Sequence, residues 1–347
     1  MDLIQKLKKA KLTGRGGACF CVADKWQMVK KAKGDRKYVV CNASEGEPGI
    51  KKDKYLFDNE ADEVIEGIML ALEFLPAEKA YIYLNPDYYT ELAPKLKKII
   101  GYFPIEVFKK DHSAGYIGGE ESSALNHIEG KRIEPRIRPP FPTESGLWGC
   151  PTLVNNVETF RDVFLIAKDQ YKGTKLFTVG GDCIYDGVYE FPEDIFIEDV
   201  LKQTSNYPDF DFFVQVGGNA SGTVLNKEQL KQPAMGCASI TIHSLYKHNP
   251  IELLKYWVDF YKHESCGQCT PCREGFYRLK EVIYASKLDW QAVDKLITNL
   301  KDSSFCALGS SAYTPFSSYI NNVIKYTSLS FPTHIAPQGM DIKCLPR

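Results

Sequence analysis

No stretch of this 347-residue chain approaches the apolar length that spans a bilayer, and Met1 to Lys9 carry no apolar core of the signal-peptide kind. The expectation is a soluble protein with no direct membrane insertion. Net charge is also nearly absent, at -1, so nothing electrostatic argues for nucleic acid or an anionic membrane surface. Histidine is scarce: the six residues are scattered, and His263 beside a cysteine loop reads as a cap or a group behind metal ligands, with a ligand role as the alternative. Cysteine is not scarce, but eleven is an odd count in a chain too long for a small disulfide-stapled scaffold. A reducing, cytoplasmic setting is therefore expected. A hydrophobic content of 44% with 25% charged residues describes an ordinary globular protein, and the length calls for two or three packed units.

What is present centres on Cys266, Cys269 and Cys272, spaced C-x-x-C-x-x-C, with Cys306 further on in Phe305–Gly309. Three thiols in one loop wrap three irons of a compact cluster and a distant fourth closes the cage, so this reads as a [4Fe–4S] site. Zinc is the rival, since it also takes four thiolates, although its sites usually pair two C-x-x-C knuckles. Reduced structural cysteines are the third reading. Cys19, Cys21, Cys41, Cys150, Cys183, Cys237 and Cys344 lack cluster spacing and are expected to be reduced and mostly buried.

Near the N-terminus, Gly14, Gly16 and Gly17 let a backbone approach a phosphate or ring, and Arg15 and Lys25 supply positive charge for an anionic ligand. Taken alone, a Gly-rich turn with no ligand explains the stretch more simply. The apolar run Tyr38–Cys41 then breaks into a polar loop, placing Asn42, Glu45 and Glu47 at the carboxyl end of a strand, where open α/β sheets bind ligands. Solvated loop carboxylates are the plainer alternative. Apolar residues from Ala61 to Leu75 recur at helical spacing, Tyr81–Leu84 and Ile105–Phe108 read as strands, and Tyr89–Ile99 as a helix between them. This alternation predicts βαβ units and a mainly parallel sheet. Residues 114–121 put Gly118, Gly119, Glu120 and Glu121 where a helix begins, a setting for phosphate and for ribose hydroxyls, or simply an acidic first turn. Arg136–Pro142 is a stiff, basic, extended segment bearing Phe141. A helix is predicted to start near Val154 and run to Ala167. Short glycine-punctuated strands from Phe177 to Ile242 indicate a small β-rich unit, and the chain from Pro250 onward is helical, with the cysteine loop between helix ends.

Taken in order, these motifs resemble the NADH-binding flavoprotein subunit of respiratory complex I, also found as the diaphorase subunit of NAD-linked hydrogenases and formate dehydrogenases. The stretches that carry the resemblance are Gly14–Phe20, Cys41–Gly49, Gly115–Ser122, Glu129–Pro142, Pro151–Thr159, Ser265–Gly275 and Cys306–Gly309, and the match they mark out extends over nearly the whole chain. The resemblance implies an α/β fold class. Residues 1–170 form a Rossmann-like domain binding FMN and NAD(H), 171–246 a ubiquitin-like β-grasp domain of SLBB type, and 247–330 a helical bundle with the [4Fe–4S] cluster. Residues 331–347 follow as a tail. In that family FMN lies on the glycine-rich loop, here Gly14, Arg15, Gly16 and Gly17, with Lys25, Asn42, Glu45, Tyr116, Gly119, Glu120, Asn155, Asn156 and Thr159 close to it. The dinucleotide is implied over the flavin, near Phe20, Lys25, Glu47, Glu121 and Phe141, with Glu47 and Glu121 as orienting residues. Cys266, Cys269, Cys272 and Cys306 are the implied cluster ligands.

On this resemblance the activity is NADH:acceptor oxidoreduction through FMN and the cluster, with no obligatory protein acid or base. The implied partners are a thioredoxin-like [2Fe–2S] subunit and a larger iron–sulfur subunit. The chain departs from the family pattern at Ala18–Ala23, at Ser44 where an aspartate is usual, at Met28 where an aromatic is common, and at Gly118 where a cysteine is common. These changes bear most on dinucleotide binding and on NADH against NADPH. Two alternatives follow: a subunit that keeps flavin and cluster but has lost productive NAD(P)H binding, and a relay related to ferredoxin–NAD oxidoreductases, whose ferredoxin-type cysteine runs this chain lacks.

Overall fold

The structure, a computed structural model, describes residues 2–234, 239–247 and 249–326, so Cys237, Cys344 and the tail 331–347 lie outside the described residues. The described chain divides into two compact units, one of residues 2–46 and 51–176 and the other of 47–50 and 177–326. Glu47–Ile50 thus groups with the second unit although its neighbours on both sides belong to the first.

The first unit opens with α1 (Leu3–Ala10) and α2 (Val22–Lys31). It continues through β1 (Tyr38–Ala43), α3 (Lys52–Asn59), α4 (Ala61–Phe74), β2 (Lys79–Leu84), α5 (Pro86–Ile100) and β3 (Ile105–Lys109). It closes with α6 (Glu121–Ile128), β4 (Thr152–Asn156) and α7 (Val157–Ala167). The four strands are parallel in the order β3-β2-β1-β4. Central strands β1 and β2 are buried along almost their whole length, as strands covered on both faces must be. On α4, Val64, Ile65, Ile68, Ala71 and Leu72 are buried at helical spacing and pack against α7. Each fully buried aliphatic side chain of this kind contributes about 1.5–3 kcal/mol. The opposite face holds Tyr38, Val40, Tyr81, Tyr83, Ala124, Leu125 and Val154 in one cluster. The helix predicted from Val154 begins three residues later, because Thr152–Asn156 completes the sheet first and Asn156 then caps α7 by accepting from the Glu158 amide at 3.2 Å.

The second unit is entered along β5 (Thr174–Gly181) and carries β6 (Gly187–Pro192), α8 (Ile197–Gln203), β7 (Phe212–Val216), β8 (Thr223–Asn226) and β9 (Ser239–Ser244). Its sheet runs in the order β6-β5-β9-β7-β8, with β5 and β9 parallel and β7 antiparallel to both its neighbours. Val200 and Leu201 of α8 pack with Val214, Ile240 and Ile242 in one core. Helices α9 (Pro250–Glu264), α10 (Thr270–Tyr284), α11 (Trp290–Ser303), α12 (Ala307–Ser311) and α13 (Tyr313–Asn322) complete the unit. Trp257, Tyr261, Phe276, Leu300 and Phe316 are fully buried among them. Among the described residues no helix is long and apolar enough to cross a membrane.

Candidate functional site

In the first unit the candidate residues gather at the carboxyl ends of β1 and β4 and in the loops that follow, the usual ligand crevice of an open parallel sheet. The glycine-rich loop closes on itself through the Gly14 amide, which donates to Phe20 O at 2.9 Å. Gly16, Gly17 and Ala18 at its tip are exposed, and Gly16 lies so near β4 that a Cβ there would stand 3.3 Å from Asn156 Cβ. Across β1, Asn42 Nδ2 donates to Gly119 O at 2.9 Å, and a Cβ on Gly119 would meet Ser44 Oγ at 2.6 Å. Ser44 is buried, with its hydroxyl packed against the glycine turn. Tyr116 lies half-buried alongside.

The Arg15 charge, expected to serve an anionic ligand, is engaged within the protein: its Nε pairs with Asp162 Oδ2 at 2.9 Å, a second guanidinium nitrogen donates to the Tyr171 hydroxyl at 2.7 Å, and both charged partners are buried. Its amide donates to Thr159 Oγ1 at 2.9 Å, so Thr159 also anchors the loop. Asn155 is turned to the interior between Val154 O and the Trp26 indole nitrogen, each 2.9 Å from its amide, whose nitrogen and oxygen suit them when the amide is turned over. Asn156 joins a buried network that the sequence did not reveal. Lys52 Nζ donates to Asn156 Oδ1 at 2.6 Å and pairs with Asp53 at 2.8 Å and Glu158 at 3.1 Å. Above it the Asp53 and Lys54 amides donate to the two oxygens of Glu45, at 2.6 and 3.1 Å. Burial first, and then the Asp53 charge, push the Glu45 carboxyl up to about 8.

Lys25 pairs with Glu121 at 2.6 Å and donates to Val154 O at 2.6 Å, which ties α2, α6 and β4 together. Glu120 caps α6 by accepting from the Ser122 and Ser123 amides, both at 2.9 Å, and also pairs with Arg138. The Arg138 guanidinium lies 6.0 Å from the centre of the exposed Phe141 ring, so the stiff basic segment forms one rim of this cleft. Phe20 is half-buried and Met28 is exposed. Glu47 departs from the expectation: it belongs to the second unit, where its carboxylate accepts from the Ala220 and Ser221 amides at 2.9 and 3.0 Å and from the Ser221 hydroxyl.

The cysteine site lies wholly in the second unit. Cys266 occupies the loop after α9, Cys269 caps the N-terminus of α10, Cys272 sits in its first turn, and Cys306 caps α12. The loop turns at Gly267, whose φ of +76° strains any L side chain, and is braced by Arg273 donating to Gly267 O at 2.7 Å. Glycine is required again at Gly309, where a Cβ would stand 2.2 Å from Ser304 Oγ and 3.5 Å from Cys272 Cβ; its absence lets the Cys306 segment reach Cys272. Burial pushes the Cys272 thiol up to about 12, the Ser265 hydroxyl at 3.1 Å works against this, and the nearby Cys269, Cys306 and Cys266 add to it. The other three cysteines thus all lie within electrostatic reach of Cys272. Among the described residues no group of three or more His, Cys, Asp or Glu side chains is drawn together tightly enough to hold a metal ion as it stands, so the case for a cluster rests on the donor chemistry, four soft sulfurs carried on three helix ends. His263 is exposed on the last turn of α9. Of the remaining described cysteines only Cys41 is buried; Cys19, Cys21, Cys150 and Cys183 are half-buried, and all five are reduced.

Residues 7–165 match the family model described as the Nuo51 FMN-binding domain, and residues 252–325 match the NADH-ubiquinone oxidoreductase-F iron-sulfur binding region. The F subunit of the NADH-quinone oxidoreductase of Aquifex aeolicus is 34% identical over 348 residues, covering 90% of this chain and 82% of that protein. The chain belongs to the family of NADH-quinone oxidoreductase F subunits. The corresponding protein of Streptomyces coelicolor is 33% identical over 97% of this chain and 84% of its own length. The alpha subunit of the NAD-reducing hydrogenase HoxS of Cupriavidus necator is 31% identical over 90% of this chain and 58% of that one. Among solved structures, an NAD+-reducing [NiFe]-hydrogenase in the H2-reduced state superposes with a TM-score of 0.84 at 32% identity, over 92% of this chain. This chain spans 60% of the length of that hydrogenase chain.

The residues of this member of the F-subunit family fit FMN by their chemistry. The exposed Gly16, Gly17 and Ala18 at the glycine-loop tip suit a phosphate, and Gly16 and Gly119 stand where a Cβ would press on Asn156 and Ser44, so only glycine lets these turns pack so closely at the end of the sheet.

Proposed function

We propose that this chain is an NADH dehydrogenase (diaphorase) subunit that oxidises NADH with FMN and a [4Fe–4S] cluster and delivers electrons to iron–sulfur partner subunits. One observation carries the reading: a single chain holds a parallel-sheet nucleotide crevice inside one matched region and, inside the other, three cysteines within electrostatic reach of a fourth. When bound, FMN supplies the conversion of paired electrons to single ones, and the cluster supplies the one-electron exit. The chain's own residues bind and orient. The amides of Gly16 to Ala18 hold phosphate, while Arg15 and Thr159 fix that loop from beneath. Asn42, Tyr116, Gly119 and Glu120 line the flavin crevice, with Lys25, Glu45, Asn155 and Asn156 supporting it. Phe20, Glu121 and Phe141 face the dinucleotide, with Glu121 as an orienting carboxylate. Cys266, Cys269, Cys272 and Cys306 hold the cluster.

The finer architecture belongs to the same reading. Residues 171–246 are taken as a ubiquitin-like β-grasp domain of SLBB type, supported by adjacent parallel first and last strands and one helix between two hairpin-like pairs. Residues 1–170 are then the FMN domain and 247–330 the helical cluster domain. A thioredoxin-like [2Fe–2S] subunit and a larger iron–sulfur subunit are the proposed partners, in a soluble, cytoplasmic assembly.

Anaerobic addition of NADH to reconstituted protein tests the enzymatic claim. Loss of the oxidised-flavin absorbance is expected, and an unchanged spectrum sinks it. A second reading, a relay that no longer binds NAD(P)H, draws support from Glu121 and Glu47 both being engaged within the protein and from exposed Met28 on α2. Equilibrium dialysis against NADH and NADPH separates the two readings.

A further inference from the structure

Ser304 closes α11 two residues ahead of Cys306, and its amide is satisfied by Leu300 O at 3.1 Å. Its hydroxyl oxygen is shut away from solvent and has no hydrogen-bond partner. A buried hydroxyl without a partner is costly and calls for an acceptor. The surroundings of this oxygen show which acceptor fits. The point 2.2 Å from Ser304 Oγ where Gly309 would carry a Cβ is also 3.5 Å from Cys272 Cβ, so the hydroxyl stands between Cys272 and the segment that bears Cys306. Ser265 adjoins the same cysteine, with its Oγ 3.1 Å from Cys272 Sγ while it accepts from the Gly267 amide at 3.3 Å. A ligating cysteine is a thiolate with no proton to give, so Ser265 is the donor of that pair once metal is held. Two serine hydroxyls therefore adjoin the buried cysteine of the four, and only the Ser265 hydroxyl meets a sulfur of the chain itself.

We propose that Ser304 donates a hydrogen bond to a sulfur of the [4Fe–4S] cluster at its Cys272 corner and favours the reduced cluster over the oxidised one. The inference rests on the cluster reading of the four cysteines and adds a residue to it. One-electron reduction adds a negative charge that the cluster sulfurs share. An O–H dipole fixed in a low-dielectric surrounding stabilises that added charge more than it stabilises the oxidised form, which raises the potential.

The test uses the full chain with its cluster reconstituted anaerobically. The potential is read by dye-mediated titration of the paramagnetic signal of the reduced cluster, and the hydrogen bond by electron–nuclear double resonance, which detects exchangeable deuterons beside the cluster after transfer to D2O. In Ser304→Ala, iron and labile sulfide are expected to match the parent, because no ligand is removed. The balance of reduced to oxidised cluster should fall by roughly tenfold, about 59 mV to lower potential for a one-electron couple, and one exchangeable deuteron coupling should disappear. Ser304→Thr keeps the hydroxyl and should keep that coupling and most of the potential. Before reconstitution Ser304→Ala should melt no lower than the parent, since alanine removes an oxygen that has no partner in the chain. A parental potential with all deuteron couplings retained overturns the proposal. Loss of iron in Ser304→Ala, as a purely structural serine would give, overturns it as well. If the parent itself takes up no iron and sulfide, the cluster reading falls and the role of Ser304 with it. If the parent holds the cluster and only the predicted shift is missing, Ser304 alone is wrongly assigned.

Discussion

The Arg15 guanidinium and the Asp162 carboxylate are paired at 2.9 Å in the interior of the first unit, so the arginine at the heart of the glycine-rich loop anchors that loop to α7. Removing one partner of a buried ion pair leaves the other charge uncompensated, at a cost of about 3–5 kcal/mol. Asp162 keeps a second partner in Arg161 at 3.3 Å, so Arg15→Met should lie near the lower end of that range. Chemical denaturation should show this loss together with weakened FMN retention, because the loop is no longer fastened. A variant with parental stability and lost flavin would mean instead that Arg15 touches the cofactor directly.

Glu45 predicts a pH dependence. Its carboxyl is pushed up to about 8 by burial and by Asp53, so the folded chain holds a proton that the unfolded chain releases near the ordinary glutamate value. The folded state then binds more protons, and stability falls as pH rises between about 4.5 and 8, by at most about 1.4 kcal/mol per pH unit. Glu45→Gln carries no titrating proton and should flatten that slope. Thermal unfolding at pH 5 and pH 8 checks it: the melting temperature of the parent should drop more across the interval than that of the variant.

Two glycines in the cluster region separate backbone strain from steric exclusion. Gly267 has positive φ but nothing within 4 Å of a Cβ, so Gly267→Ala should cost on the order of 1 kcal/mol and leave the iron content intact. Gly309→Ala drives a methyl to 2.2 Å from Ser304 Oγ and should displace the Cys306 segment. Iron assays after anaerobic reconstitution should separate the two variants, with substoichiometric iron only in Gly309→Ala.

Much of the first unit could be read in advance because its signals are local. The helical spacing of Val64, Ile65, Ile68 and Leu72 and the apolar run at Tyr38–Cys41 each fix an element by its own periodicity. Where two elements meet without a break, the sequence misleads: Val154 and Asn155 looked like a helix start but pair with β1, since pairing is set by a strand more than a hundred residues away. The candidate site divides in the same way. Cysteine spacing announces a metal site by itself, whereas the direction of the Arg15 side chain depends on Asp162 and Tyr171. The Lys52, Asp53, Asn156 and Glu158 network joins positions more than a hundred residues apart, and no local pattern marks it. Lys110, in a run with Lys109, Asp111 and His112, looks like a solvated turn until the fold buries it.

Cys272 is the most informative single position in the metal site. It is the buried member of the four, it lies next to Ser265 Oγ at 3.1 Å, and the Cys306 segment reaches it across Gly309. Serine at this position keeps the volume but replaces a soft sulfur donor by a hydroxyl, which iron–sulfur clusters accept poorly. Cys272→Ser should therefore fall well below four irons per chain after reconstitution and lose acid-labile sulfide in proportion. FMN content should be unchanged, because the flavin residues lie in the other unit. Cys183→Ser is the matched control, a half-buried thiol of the same unit outside the loop, and should keep both iron and sulfide. Zinc in place of iron in the parent protein, without labile sulfide, would identify a different metal on the same ligands. Four irons retained in Cys272→Ser would show that this cysteine is not a ligand.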